Sequence, residues 1–153
     1  MAKLALSGSD TVTINNQALA DFADGNCVEL TFPNAIANVK TGKSGNAIFG
    51  FNASGVQAEA KLRIIRGGND DKFLMNLLNQ QNSAATFPST VLLTGTFIKK
   101  LGDGAGNVTS DTYILAGGIF EKIPEGKSNV EGETEQSIAM YSIKFASAVR
   151  VIT

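Results

Sequence analysis

Apolar positions recur at every second residue over much of the chain. From Val56 the sequence reads V-Q-A-E-A-K-L-R-I, so Val56, Ala58, Ala60, Leu62 and Ile64 fall on one side and Gln57, Glu59, Lys61 and Arg63 on the other. Successive side chains of a β-strand point to opposite faces, so this stretch predicts a strand about 30 Å long. Near the C-terminus, Ala139, Tyr141, Ile143, Phe145, Val149 and Val151 alternate with Met140, Ser142, Lys144, Ala146, Ala148 and Arg150, predicting a second long strand that ends near Thr153. Shorter strands are predicted at 4–6, 11–14, 27–32, 36–40, 47–51, 91–100 and 112–120, punctuated by Gly, Asn and Asp clusters. Gly117-Gly118 interrupts the last of these and predicts a bulge or a close backbone approach.

One segment follows a different period. After Gly67-Gly68 comes NDDKFLMNLLNQQN, in which Phe73, Leu74, Leu77, Leu78 and Gln81 recur at helical spacing. A helix of about three turns is expected from Asp70 to Asn82, capped by Asn69 or Asp70, with Asp70 and Asp71 at its positive end. Pro88 then falls in the loop to the next strand. The pattern predicts a single domain over 1–153: a mainly antiparallel β-sandwich or strongly curved barrel with one flanking helix.

Composition narrows the chemistry. The 153 residues are 43% hydrophobic, with 13 basic and 14 acidic side chains and a net charge of −1, which disfavours a broad basic face for nucleic acid or anionic lipid. Histidine is absent and Cys27 is the single cysteine. Neither a Ser-His-Asp nor a Cys-His arrangement, nor a Cys/His zinc site, nor an internal disulfide can form within one such chain. No catalytic residue, metal or cofactor is expected, and Cys27 reads as a buried structural thiol. The opening MAKLALSGSDTV lacks the apolar stretch of a secretory signal, and no run approaches ~18 apolar residues. The expectation is a protein made in the cytoplasm, with no membrane partner.

Motifs that suggest chemistry dissolve on inspection. Gly42-Lys43-Ser44 ends like a Walker A phosphate loop, and the triplet returns at Gly126-Lys127-Ser128. The first glycine of that motif would stand at Ala37 or Glu121, and GNAIFGFN after Ser44 alternates like a strand rather than opening a helix. A hairpin tip is the simpler expectation, with 36–40 and 47–51 as its arms. GDGAGN at 102–107 lacks the ligands of a calcium loop and reads as a turn, as do the Asn52 and Asn107 sequons. The stretch 121–135 holds Glu121, Glu125, Glu131, Glu133 and Glu135 against Lys122 and Lys127, and is expected to be a long exposed loop.

Several strands have apolar residues on both faces: Tyr113 and Leu115 alternate with Ile114, Ala116 and Phe120. Long strands with free edges need cover, and identical copies can provide it in a closed ring. The text FADGNCVELTFPNAIANVKTGKSGNAIFGFNASGVQAEAKLRIIRGGNDDKFLMNLLN, from Phe22 to Asn79, resembles tail tube proteins of tailed bacteriophages, contractile-tailed phages above all. The resemblance rests on the order and spacing of the Asp24-Gly25 turn, TFPN, VKTGKSGN, FNASG, the long alternating strand and RGGNDDKFL. It extends less distinctively to the C-terminal strand, and 121–135 matches it least.

The resemblance implies a β-sandwich with a flanking helix, assembled six to a ring. Each copy would give strands to an inter-subunit β-barrel. About 24 strands at ~4.8 Å enclose a cylinder roughly 37 Å across before tilt widens it. Stacked rings would form a hollow virion tail through which DNA passes without specific binding. Sheath, baseplate and terminator proteins would be partners if the tail is contractile. A conduit lined with cations would hold phosphate by counterion release, so a neutral-to-acidic lumen is expected. Glu29, Glu59 and Glu121 are candidate lumen charges, and Lys61 and Arg63 mark Glu59's face as a candidate interface. The segment Lys40, Thr41, Gly42, Lys43, Ser44, Gly45 and Asn46 looks like the family's protruding loop that reaches an adjacent ring. A bacteriocin or secretion-type injection tube needs the same rings without DNA. A carboxylate-based hydrolase would need a deep pocket with paired acids. A monomeric binding module would usually display aromatics, whereas this chain has no Trp and only Tyr113 and Tyr141 as tyrosines.

Overall fold

A computed structural model describes residues 3–6 and 10–153, so the N-terminal stretch read above lies partly outside the described residues. The strands are β1 (Thr11–Ile14), β2 (Gln17–Ala18), β3 (Val28–Thr31), β4 (Ala37–Thr41), β5 (Ala47–Phe51), β6 (Ala58–Ile65), β7 (Leu93–Gly102), β8 (Val108–Phe120) and β9 (Ile138–Ile152); the helix α1 is Asn69–Gln81. Seven strands form one sheet in the order β2-β1-β7-β8-β9-β6-β3, and β4 and β5 pair only with each other. All these pairings are antiparallel.

The fold is mainly β with one helix, as the two periodicities predict. Its body is one curved seven-stranded sheet rather than two facing ones, with the β4–β5 hairpin as a separate pair. Asp10, Thr11 and Val12 beside one edge and Cys27, Val28 and Leu30 at the other line the same cavity, so the sheet curls towards closure. The predicted strand at 4–6 is reduced to one bridge, Ala5 to Gly102. Val56 is exposed and precedes its strand, which begins at Ala58.

The core follows the alternation. Ala58, Ala60, Leu62 and Ile64 of β6 are buried beside Ala139, Tyr141, Ile143 and Phe145 of β9. Helix α1 seals it with Leu74 and Leu78, while Phe73 and Leu77 pack half-buried at the margin. Gln81, on the same stripe, uses its amide like a strand: Nε2 donates to the Phe120 carbonyl and Oε1 accepts the Phe120 N–H, each at 2.9 Å.

The alternation of β9 breaks after Phe145. Ala148 is buried, whereas Val149 and Val151 are exposed, opposite to the simple reading. Strand β8 changes phase at the same level: Leu115 and Gly118 face the core, and Phe120 therefore joins Leu115's side. Gly117 lies there at φ +69° against the Ala146 Cβ, and Gly118 lies where a Cβ would stand 2.5 Å from the Phe145 ring. The glycine pair thus supplies both the bulge and the close approach that the sequence suggested.

The helix start also differs from expectation. Its N-cap is Gly68, which offers no side chain, and Asn69 is already helical. Asp70 instead turns inward, accepting the Ala20 and Asp21 N–H groups at 2.6 and 2.7 Å, while Asp21 accepts the Asp70 N–H at 3.3 Å. Asp71 accepts the Gly67 N–H at 2.8 Å and the Tyr141 hydroxyl. Burial, reinforced by the Asp71 carboxylate, pushes the Tyr141 phenol above its ordinary value. Its contribution to stability is therefore whole below pH ~10 and is lost as pH rises further, because the unfolded chain ionises first. Tyr141→Phe is expected to cost about 1–2 kcal/mol at neutral pH. In urea titrations the gap between the two proteins should narrow above pH ~10; a constant gap would refute the assignment.

Candidate functional site

The β4–β5 hairpin is the most exposed regular structure among the described residues. Every residue of both strands is exposed. The register pairs Ala37 with Phe51, Val39 with Phe49 and Thr41 with Ala47, which puts all six side chains on one face. That face is apolar apart from Thr41, and Val39, Phe49 and Phe51 are 64, 76 and 85% exposed. The opposite face carries Asn38, Lys40, Ile48 and Gly50.

The predicted hairpin reading of Gly42-Lys43-Ser44 holds. Lys43–Gly45 form a 3-10 turn at the tip, with Ser44 and Gly45 at positive φ. The Gly42 N–H donates to the Asn46 carbonyl at 2.5 Å and Asn46 Nδ2 to the Lys43 carbonyl at 3.1 Å. The second Gly-Lys-Ser lies in the long loop after β8. Residues 103–107 form a plain turn in which Asp103 accepts the Ala105 and Asn107 N–H groups.

The root of the hairpin is clamped. Asn52 donates its N–H to the Ile36 carbonyl and its Nδ2 to the Ala35 carbonyl, at 2.9 and 2.8 Å. Asn52 Oδ1 accepts the Ser54 N–H and hydroxyl. Asn34 reaches the Ser54 carbonyl and Gln57. Gly55 is buried under Ile36, whose Cα would lie 2.6 Å from any Cβ there.

A second surface gathers the predicted charges. Glu29 pairs with Lys61, Glu59 with Lys144 and Arg63 with Met140, so these side chains share the outer face of β3, β6 and β9. Glu121 joins them through Lys144 at 3.5 Å, and Arg63 contacts Asp24 at 3.3 Å and Glu135 at 3.8 Å. The face alternates in sign, and its pairs are solvent-exposed, so each contributes only ~0–1 kcal/mol.

The loop predicted over 121–135 is long and exposed, runs on to Ser137 and is tied down. Arg66 Nη1 donates to the carbonyls of Lys127 and Gln136, at 2.5 and 3.0 Å, and its N–H to that of Ser137. Glu125, Glu131 and Glu133 are exposed on it, with Ile123 and Val130.

Where the edges of the curved sheet approach, a cavity of about 470 Å³ is lined by apolar residues including Val12, Val28, Leu30 and Phe97. Cys27 lines it half-buried, rather than fully buried as its sequence context suggested. Asp10 is the one carboxylate among its described lining residues, and it is bound to Lys99 at 2.7 Å. Nearby, Arg150 makes two 2.9 Å bonds to Asp111 and lies 5.7 Å from the Tyr113 ring centre. The guanidinium holds the Asp111 carboxyl below the usual carboxylate range. No helix among the described residues is long and apolar enough to cross a membrane.

Sequence reasoning read the hairpin through its lysines and missed Val39, Phe49 and Phe51. The signal was present: A-N-V-K-T and A-I-F-G-F, folded about the Gly-Lys-Ser tip, place them on one side. A scan against models of known protein families matches none, and a search of curated proteins finds no match.

Proposed function

We propose that this chain is a structural subunit of a phage-type tail tube, self-assembling into stacked rings around a conduit for DNA. The observation that carries this reading is the hairpin: a pre-formed, two-stranded arm with an apolar face that its own chain leaves in water. Contiguous exposed apolar surface of this kind marks an interaction site. Fully burying Val39, Phe49 and Phe51 would contribute about 1.5–3 kcal/mol each. The sum is comparable with the ~4–15 kcal/mol entropic cost of association, so one arm alone is marginal. Arms repeated around a ring act together, which favours a closed multivalent assembly over a simple dimer.

The antiparallel strands and the single helix agree with what the resemblance to tail tubes implies, although the implied sandwich is replaced by one curled sheet. The sign-alternating outer face, which sets Glu29, Glu59 and Glu121 against Lys61, Arg63 and Lys144, is near neutral and suits a surface that DNA passes without being held. Negative-stain microscopy of the purified protein tests the reading. Rings or hollow filaments are expected at high concentration; a particle that sediments as a monomer throughout would overturn it.

A further inference from the structure

Aspartate is followed by glycine at two places, Asp24-Gly25 and Asp103-Gly104, and no asparagine in the chain precedes a glycine. Such a step is chemically weak, because glycine has no Cβ to shield its nitrogen from the preceding side chain. The two steps stand in different surroundings.

Asp103 is held by both oxygens. Its Oδ1 accepts the Ala105 and Asn107 N–H groups at 2.7 and 3.1 Å, and its Oδ2 accepts Asn107 Nδ2 at 2.8 Å. The Asn107 amide, with those backbone donors, keeps the Asp103 carboxyl below its ordinary value. A carboxylate is a poor electrophile, so this carboxyl is both anchored and held in its unreactive form.

Asp24 is open. Its side chain is 90% exposed, and the single polar contact of its carboxylate among the described residues is Arg63 Nη2 on Oδ1 at 3.3 Å. The Gly25 N–H donates to no acceptor among the described residues, and a Cβ on Gly25 would meet nothing within 4 Å. Arg63 Nε donates to the Asp24 main-chain carbonyl at 3.1 Å and draws electron density from it. The Ala23 N–H donates to the Arg63 carbonyl at 3.0 Å, and the Arg63 N–H to the Cys27 carbonyl at 2.8 Å. Residues 24–26 therefore bulge out opposite a single residue of β6.

We propose that Asp24 is a site of spontaneous conversion to isoaspartate, and that the hydrogen bonds on Asp103 protect the other Asp-Gly step. The Gly25 nitrogen attacks Cγ of the protonated Asp24 carboxyl. The N–Cγ bond forms, and the hydroxyl leaves with the amide proton as water. The cyclic imide then takes up one water. Attack at the main-chain carbonyl breaks its bond to the Gly25 nitrogen, which stays joined to Cγ. Nothing is oxidised and the mass is restored, but the main chain is one carbon longer and the carboxylate sits on Cα. The bonds to Arg63 flank this step, so the bulge takes up the extra length. The pairings of Phe22 with Ile64 and of Val28 with Leu62 persist.

Incubating the purified full chain in warm, mildly acidic buffer tests this. Isoaspartyl methyltransferase with labelled S-adenosylmethionine counts the product, and electron-transfer fragmentation of peptides places it. Conversion at Asp24 is expected to run about tenfold or more faster than at Asp103, where attack must first break hydrogen bonds to both oxygens. In urea the two rates should converge. Asp24→Glu, which would require a larger ring, should remove most of the methyl acceptance. Asn107→Ala should speed conversion at Asp103 severalfold. A folded chain in which Asp24 converts no faster than Asp103 would overturn the proposal, as would an Asp24→Glu variant that accepts methyl groups like the wild type. Aged and fresh protein should share one urea midpoint; a midpoint that falls as isoaspartate accumulates would show that the bulge does not absorb the added carbon.

Discussion

Gly118→Ala is expected to lower the unfolding free energy by about 3 kcal/mol, near the upper end of the overpacking range. The added methyl would stand 2.5 and 2.7 Å from two carbons of the Phe145 ring and 3.1 Å from the Leu93 Cβ. Phe145 is 1% exposed, so its ring cannot relieve the contact by turning out to solvent without leaving the core. Urea unfolding should show a lower midpoint with an unchanged slope. Phe145→Leu, destabilising alone, should cost less in the Gly118→Ala background, since the smaller side chain relieves the clash. A wild-type midpoint for Gly118→Ala, or strict additivity of the two changes, would show that the close approach does not govern this level of the sheet.

Phe49→Ser with Phe51→Ser should produce the reverse pattern. Both side chains are mostly exposed, so the folded subunit should keep its stability within about 0.5 kcal/mol. Self-association should collapse. Losing the burial of two phenylalanines removes about 3–6 kcal/mol per contact, a factor of roughly 10²–10⁴ in the association constant. Sedimentation velocity across a concentration series measures it. A double variant that assembles like the wild type would show that the apolar face of the hairpin is not an interface.

Much of the fold was legible because period-two alternation is strong wherever one face of a strand is buried. Strand β6 shows this: Ala58, Ala60, Leu62 and Ile64 stand inward as their spacing predicts. The helix was legible from Phe73, Leu74, Leu77 and Leu78. The cap was not, because the groups that satisfy its first turn come from Asp21, far away in sequence. Phase was lost where both strands slip together, at Ala116-Gly117 in β8 and Ala146-Ser147 in β9, since such an irregularity shifts alternation by one residue without changing composition. Spacing alone puts Val149 and Val151 on the side of Phe145, whereas they stand outward. At the candidate site, Gly-Lys-Ser correctly marked a tip, but charge drew attention from the apolar side chains. Whether an alternating face is buried by its own chain depends on what lies across from it, and a single sequence does not contain that.

The root clamp of the hairpin has a mechanical consequence. Each arm is a lever roughly 17 Å long, so a swing of about 10° at the base would displace its tip by about 3 Å, enough to spoil side-chain registry. Asn34, Asn52 and the buried Gly55 restrict that swing before any neighbour arrives. An arm with its bearing set in advance would hand every newcomer the same pitch, and a long stack could grow straight without an external ruler correcting each joint.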